Sequence, residues 1–385
     1  MRQVALKVQR RRFARAALRE IDVHRQLRAR AGICPELAAM SEAFLYDGHI
    51  CIAFERHGNS LEAALDRHPI APERAHIITR QMLLALDYMH SCGYAHTDVK
   101  PGNILYAARA SSARLADLGT ARVELLQGTL CGTRNYTAPE VFIGAPLSPA
   151  LDIWSLGCTV FELLSRQLLF DPHEIAAKKY REFSRGKDRM QLPLAAKVKE
   201  DAAEEKAEQL KPGAVITGKY RLQRKLGTGR FSTVWMAEQL TNLSLDTADN
   251  ILREQTRGVA TAEPQRSERQ LRDREWQRTK GADDILDLAL NYEHLLLIAA
   301  MCGPVPKGMV QSARFRASYF EEDGALRFRP VLAHVSLRNR LRRVPGLKGR
   351  ALDLAIDFLQ RALTIDPAQR PSARSALAHE WIGLP

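Results

Sequence analysis

Apolar and polar positions along the chain change period several times, and each change marks an expected element. Residues 3–9, around "VALKV", and 49–55, "HICIAFE", have the apolar density of buried strands. Residues 12–29 carry Phe13, Ala17, Ile21 and His24 at helical spacing, which predicts a helix with one covered face. Residues 73–90 repeat apolar side chains at 77, 78, 82, 85, 86 and 89, a broad helical stripe. "SPALDIWSLGCTVFELL", 148–164, opens on Ser-Pro and is apolar nearly all round, so a buried helix is expected. Further helices are expected at 284–302 and 350–364, the latter with Leu352, Ala355, Ile356, Leu359 and Leu363 on one face.

Between about 174 and 283 the texture changes. "AAKVKEDAAEEKAEQLK" reads as a solvated helix, and "DNILREQTRGVATAEPQRSERQLRDREWQRTKG" is polar throughout. Between them stands "KYRLQRKLGTGRFSTVW", two β-prone runs around a Gly-x-Gly turn. The region is therefore expected to be an insertion with flexible arms and a β hairpin at 217–237.

The 385 residues are enough for two or three packing units, and 45% apolar content allows a sizeable core. A net charge of +13 favours acidic partners, among them nucleotides. The charge is concentrated in residues 1–30 and in "RNRLRRVPGLKGR", 338–350. Neither cluster has interleaved aromatics, so no direct nucleic-acid partner is expected. Six scattered cysteines without a C-x-x-C pair fit reduced thiols in the cytoplasm or nucleus. No apolar run has the length of a membrane span, so no membrane partner is expected.

Three motifs carry chemistry. "HTDVKPGNIL", 96–105, places Asp98, Lys100 and Asn103 in one turn-rich loop. A carboxylate can accept a hydroxyl proton, an ammonium can neutralise phosphate, and an amide oxygen can ligate Mg²⁺. "LADLGTA", 115–121, can present the Asp117 carboxylate to a metal after a short apolar strand. "VALKV" sets Lys7 inside an apolar strand, where its charge needs an anion, and Glu20 of the next helix is the natural partner. Singly each has a bland reading: a turn, a snorkelling lysine, a surface glutamate. In this order, and followed by "TAPE" at 137–140, they match the protein-kinase signature set.

The chain therefore resembles eukaryotic protein kinases over about residues 1–173 and 284–385. Within them it is most similar to the SR-protein (serine/arginine-rich splicing factor) kinases, through "HTDVKPGNIL", "ADLGTA", "ALDIWSLGCTVFELL", "LLFDPHE" and "NYEHLLLIAAMCGPVPKGMV". The resemblance implies an α+β, two-lobed kinase-like fold: a small antiparallel β lobe, a larger helical lobe and ATP in the cleft. Residues 1–56 would begin the small lobe at the Lys strand. Residues 57–173 and 284–385 would form the large lobe, and 174–283 the insertion.

The same resemblance implies the site. Asp98 would be the base, with Lys100 beside the transferred phosphoryl group. Asn103 and Asp117 would hold Mg²⁺, and Lys7 would hold the ATP phosphates while paired with Glu20. Glu55 would begin the hinge, and His57 and Leu105 would complete the adenine site together with Ala5 and Val234. Gly227 and Gly229 would cover the phosphates. Glu140 would pair with Arg370, and Asp152 would brace the catalytic loop. The implied activity is transfer of the ATP γ-phosphoryl group to protein Ser/Thr, with Arg-Ser-rich proteins the leading substrate class. Thr97 stands where most kinases carry Arg, and Thr137 where the wider group carries Arg in its substrate-binding loop.

The order of the chain departs from the family, because the glycine-loop hairpin comes after the strand it should adjoin. Three arrangements stay open on the sequence. The first is an active enzyme that takes its first strands from the insertion, as a monomer or a hairpin-swapped dimer. The second is a catalytically weak pseudokinase acting as a nucleotide- or protein-binding scaffold, and the third is a truncated or rearranged chain. A flexible chain as long as either arm spans roughly 30–40 Å on average, so docking within one chain is expected to be feasible.

Overall fold

The computed structural model describes residues 2–171, 210–228, 232–241, 282–327 and 336–384, with only the backbone of 282–290. Most of the insertion's two arms, nearly all of its expected solvated helix and Gly229 lie outside the described residues. The chain divides into two compact units. One comprises residues 1–17, 40–56 and 171–277; the other comprises 18–39, 57–170 and 278–385.

The first unit is a six-stranded antiparallel sheet. Its strands are β1 (Arg2–Gln9), β2 (Met40–Tyr46), β3 (His49–Glu55), and, much later in the chain, β7 (Val215–Ile216), β8 (Tyr220–Thr228) and β9 (Ser232–Gln239). The order is β2-β3-β1-β9-β8-β7. Strand β9 thus lies along β1 over its whole length, from Arg2 opposite Gln239 to Gln9 opposite Ser232. Without β9, β1 would present a free edge of unpaired backbone groups in an apolar strand, which invites aggregation.

Two tight turns set the registers of this sheet. Asp47 and Gly48 both adopt positive φ, 45° and 73°, and join β2 to β3. Thr217 and Gly218 do the same between β7 and β8, at 51° and 68°. Two consecutive positive-φ residues give the turn whose twist suits adjoining strands.

Period-two alternation then decides which side chains are covered. Val4, Leu6 and Val8 of β1 share a dry core with Phe44, Cys51, Ala53, Tyr220, Leu222, Trp235 and Ala237. Burying each large apolar side chain stabilises the unit by about 2 kcal/mol. Strands β2 and β8 are separated by three strands in the sheet order, yet Phe44 stacks on Tyr220 with ring centroids 5.7 Å apart. The sheet is therefore strongly curled. Glu42 of β2 fastens the curl, accepting hydrogen bonds from Lys219 Nζ at 2.8 Å and from the Tyr220 hydroxyl. Burial, reinforced by that carboxylate, pushes the Tyr220 phenol pKa upward.

The second unit is mainly helical. Helix α1 (Ala14–Ala31) enters it at residue 18, followed in the chain by α2 (Leu61–Leu65), α3 (Pro72–Ser91), α4 (Pro139–Ile143) and α5 (Ala150–Ser165). Helices Ala282–Cys302 and Gly349–Ala362 come later. A small sheet joins β4 (Asn59–Ser60), β5 (Ile104–Ala107) and β6 (Ser112–Leu115). Residues 18–39, expected with the small lobe, group with this unit. The reason is packing: Val23, Leu27 and Leu37 belong to its core, and Tyr88 donates to the Leu27 and Gly32 carbonyls, each at 2.7 Å.

Helix α5 is the axis of this core, with Leu151, Ile153, Trp154, Leu156, Val160 and Phe161 all buried. It starts at Ala150, directly after Ser148-Pro149, as the Ser-Pro start signal suggests. Arg370 and Glu140 form a fully buried ion pair at 2.8 and 3.1 Å. The Arg370 guanidinium also donates to the carbonyls of Ala150, Thr364 and Ile365 and lies over the Trp154 ring. All five of its N–H donors are used, which offsets the cost of removing the pair from water. Among the described residues no helix is long and apolar enough to cross a membrane.

Candidate active site

The loop 96–103 is held from below by one buried carboxylate. Asp152, at the start of α5, accepts from the backbone N–H groups of His96 and Thr97, both at 2.8 Å, and faces His90 Nε2 at 2.9 Å. These bonds hold Thr97 at φ 71°, a left-handed backbone that a β-branched residue rarely adopts. His96 accepts from the Asp98 N–H at Nδ1 (3.2 Å), which leaves Nε2 as the protonated nitrogen facing the Ala116 carbonyl at 3.0 Å. One histidine tautomer thus joins the Asp98 loop to the segment that carries Asp117.

Asp98 is surrounded by donors. Its Oδ2 accepts from Lys100 Nζ at 2.7 Å and from Asn103 Nδ2 at 2.9 Å. Its Oδ1 accepts from the Thr133 hydroxyl at 2.7 Å. Lys100 Nζ donates in turn to Thr133 Oγ1 at 2.6 Å, closing a ring of three side chains. Asn103 uses its second amide proton on the Asp98 carbonyl at 2.8 Å, so its oxygen is the atom it can offer elsewhere.

Asp117 is positioned through its neighbour. The Ala116 N–H donates to the Asn103 carbonyl at 2.8 Å, and the Ala116 carbonyl faces His96. Asp117 itself has φ 64° and begins the short turn Leu118–Thr120. Thr97 Oγ1 donates to the Thr120 carbonyl at 2.9 Å, and Thr120 Oγ1 to the His96 carbonyl at 3.2 Å. Asn103 and Asp117 are thus fixed to one backbone frame.

Thr133 and Gly132 were not singled out in the sequence, though "CGT" precedes the quoted "TAPE". A Cβ at Gly132 would lie 2.9 Å from the Thr97 carbonyl oxygen, at φ 86°. Only glycine lets Thr133 approach the Asp98 loop this closely. Gly58 is a second missed position: a Cβ there would lie 2.0 Å from the Tyr106 carbonyl oxygen, and its absence lets β4 pair with β5.

In the sheet unit, Lys7 stands opposite Ile52 on one side and Val234 on the other, so all three share a face. Ala5, two residues along, shares it too, and Gly227 stands opposite Val234. The β8–β9 ladder is irregular between Lys225 and Gly227, a bulge that sharpens the local twist. A Cβ at Gly227 would meet nothing within 4 Å among the described residues. Lys7 is buried, and Glu55, at the end of β3, forms an ion pair with Arg2.

In the helical unit, Glu20 is buried on α1, His57 Nε2 lies 3.1 Å from the Ser112 carbonyl, and Leu105 lies on β5 opposite Ser60. Asp98, Lys100, Asn103 and Asp117 are drawn into one frame in this unit. Ala5, Lys7, Gly227 and Val234 are drawn onto one sheet face in the other.

Mg²⁺ is bound by one or two carboxylates completed by phosphate oxygens and water. An Asn103 amide whose two protons already point to Asp98, with Asp117 held on the same backbone frame, offers oxygen donors of that kind. Among the described residues no three His, Cys, Asp or Glu side chains form a metal cage of their own. The residues therefore fit a metal shared with a phosphate ligand.

Comparison with known proteins agrees. The protein kinase domain model matches residues 1–212. The chain is 30% identical over 200 residues to Serine/threonine-protein kinase AFC3 of Arabidopsis thaliana, covering 44% of this chain and 50% of that protein. It is 38% identical over 138 residues to Testis-specific serine/threonine-protein kinase 3 of Homo sapiens, covering 34% and 50%. It is 31% identical over 134 residues to Serine/threonine-protein kinase prp4 of Schizosaccharomyces pombe, covering 33% and 28%. The matches span half or less of these relatives' own lengths. With the family model covering more than half of its residues, the chain belongs to the protein kinase domain family.

Proposed function

We propose that this chain transfers the γ-phosphoryl group of ATP to Ser or Thr hydroxyls of protein substrates. The observation that carries the reading is the Asp98–Thr133–Lys100 ring. A carboxylate offers about four lone-pair sites, and three of the Asp98 sites are taken. The open one is on Oδ1, where it can accept the proton of an incoming hydroxyl. Lys100 uses two ammonium protons inside the ring, and the third is left for a phosphoryl oxygen.

Asn103 and Asp117 would hold Mg²⁺, which supplies charge neutralisation for the phosphates when bound. Lys7 would meet the ATP phosphates, with Gly227 and Gly229 passing over them. Ala5 and Val234 would contact the adenine, and Glu55, His57 and Leu105 would line its site. Positioning and fixed charge then supply most of the rate gain, as phosphoryl transfer requires little covalent chemistry from the protein.

Two finer expectations belong to the same reading. The acceptor is Ser or Thr flanked by basic residues, Arg-Ser tracts first, on the strength of the motif resemblance. The hairpin serves its own chain, supported by the continuous β1–β9 ladder.

The test is Mg²⁺-dependent transfer of label from γ-labelled ATP to a Ser/Thr peptide library, with the acceptor residue identified. Label on Ser or Thr supports the reading. ATP binding without transfer would make the chain a nucleotide-binding scaffold instead.

A further inference from the structure

The second basic cluster of the sequence, 338–350, is not among the residues assigned to phosphoryl transfer. In the helical unit its turn forms one wall of a groove of about 790 Å³. The other walls are the segment 69–73 that leads into the start of α3 and the end of α5, 164–167. We propose that this groove docks an acidic, extended peptide segment of a protein partner.

Three guanidinium groups make the case. Arg166, Arg342 and Arg343 line the groove, are exposed, and have no side-chain partner among the described residues. Among the described residues one carboxylate, Glu73, also lines it, so the groove they form remains strongly positive. Cations gathered without counter-charges raise the local concentration of anions. The walls are also apolar: Ile70, Val344 and prolines at 69, 72 and 345 suit aliphatic side chains set between the acidic ones.

The groove is rigidly built. Arg340 donates to the Leu168 and Leu169 carbonyls at 2.7 and 2.8 Å and stacks on Phe161 at 4.5 Å, which fixes the 339–346 turn against the end of α5. At one end Gly346 lies against Pro72, where a Cβ would stand 3.6 Å from the proline ring. A preformed groove loses little entropy when it binds.

Among the described residues the lining contains no aromatic side chain. Bases of a single-stranded nucleic acid would find no stacking platform, so the occupant is a peptide. The inference stands apart from the phosphoryl-transfer reading, since binding here needs neither ATP nor the Asp98 loop.

Fluorescence anisotropy of a short labelled peptide of Glu, Asp and Leu against the full chain tests it. The expected result is saturable, salt-sensitive binding that weakens about tenfold or more in Arg342→Glu/Arg343→Glu. Glu73→Gln is expected to tighten binding about twofold, a gain that a misfolded variant cannot mimic. Unchanged affinity in the double charge reversal would overturn the proposal. Equal binding of a Lys/Arg peptide, or equal competition by a single-stranded RNA, would also overturn it.

Discussion

Val234 stands directly across the β1–β9 ladder from Lys7, although the two residues come from opposite halves of the chain. That pairing sets Gly227, opposite Val234 on the other side, onto the edge of the Lys7 face. Because a Cβ at Gly227 would meet no atom within 4 Å among the described residues, none of them imposes a packing need for glycine there. Gly227→Val is therefore expected to leave the melting temperature unchanged, since valine suits a strand. Mg-ATP affinity, measured by calorimetry, is expected to fall about tenfold, or about 1.4 kcal/mol. Unchanged affinity would remove Gly227 from the phosphate site.

Thr133 bridges Lys100 and Asp98 through a single hydroxyl. Thr133→Val keeps the shape and removes both bonds. Steady-state kinetics are expected to show kcat lower by about tenfold or more, with the KM for ATP little changed. Thr133→Ser restores the hydroxyl and is expected to restore most of the rate. A Thr133→Ser variant as impaired as the valine variant would assign the residue to packing alone.

His294 offers a stability test independent of activity. Its ring lies between Phe142 and Phe170, at 5.0 and 5.5 Å, and neither nitrogen has a hydrogen-bond partner among the described residues. Burial, helped by the charge of Arg134, holds its pKa down at about 3. The folded state therefore binds fewer protons than the unfolded state between about pH 6.5 and that value, so stability is full above the window and falls as pH drops through it. Between pH 6.5 and 5 the loss is about 2 kcal/mol. Urea titrations of His294→Phe should lack this component, so the stability gap between the variant and the wild type should widen in the variant's favour as pH falls. A pH-independent gap would show that His294 is not buried as a neutral ring.

Much of this was legible in the sequence, for physical reasons that differ by element. Strand β1, helix α3 and helix α5 follow from periodicity, because each buries a full face or is covered all round. The alternation in "YRLQRKL" and "STVWMAE" marked two strands, with Tyr220, Leu222, Trp235 and Ala237 as their covered side. Their place beside β1 was only an expectation, because register between distant strands depends on partners that periodicity does not name. Glu42 gathering Lys219 and Tyr220 is such a partner, and nothing in local sequence connects it to them.

The candidate site divides in the same way. Asp98, Lys100, Asn103 and Asp117 stand out by spacing within short loops. Thr133 does not, because its role depends on Gly132 passing under the Thr97 carbonyl. The basic groove was half visible as a charge run at 338–350; its other walls, 69–73 and 164–167, join it only in the fold.

The central claim is that Asp98, held by Lys100, Asn103 and Thr133, accepts the proton of a Ser or Thr hydroxyl during phosphoryl transfer. Single-turnover transfer from γ-labelled ATP in wild type and Asp98→Asn, with Mg-ATP affinity measured on the same samples, tests it most directly. The account predicts transfer slowed by about 10²–10⁴-fold with nucleotide affinity nearly unchanged. Transfer by Asp98→Asn at close to the wild-type rate would contradict it.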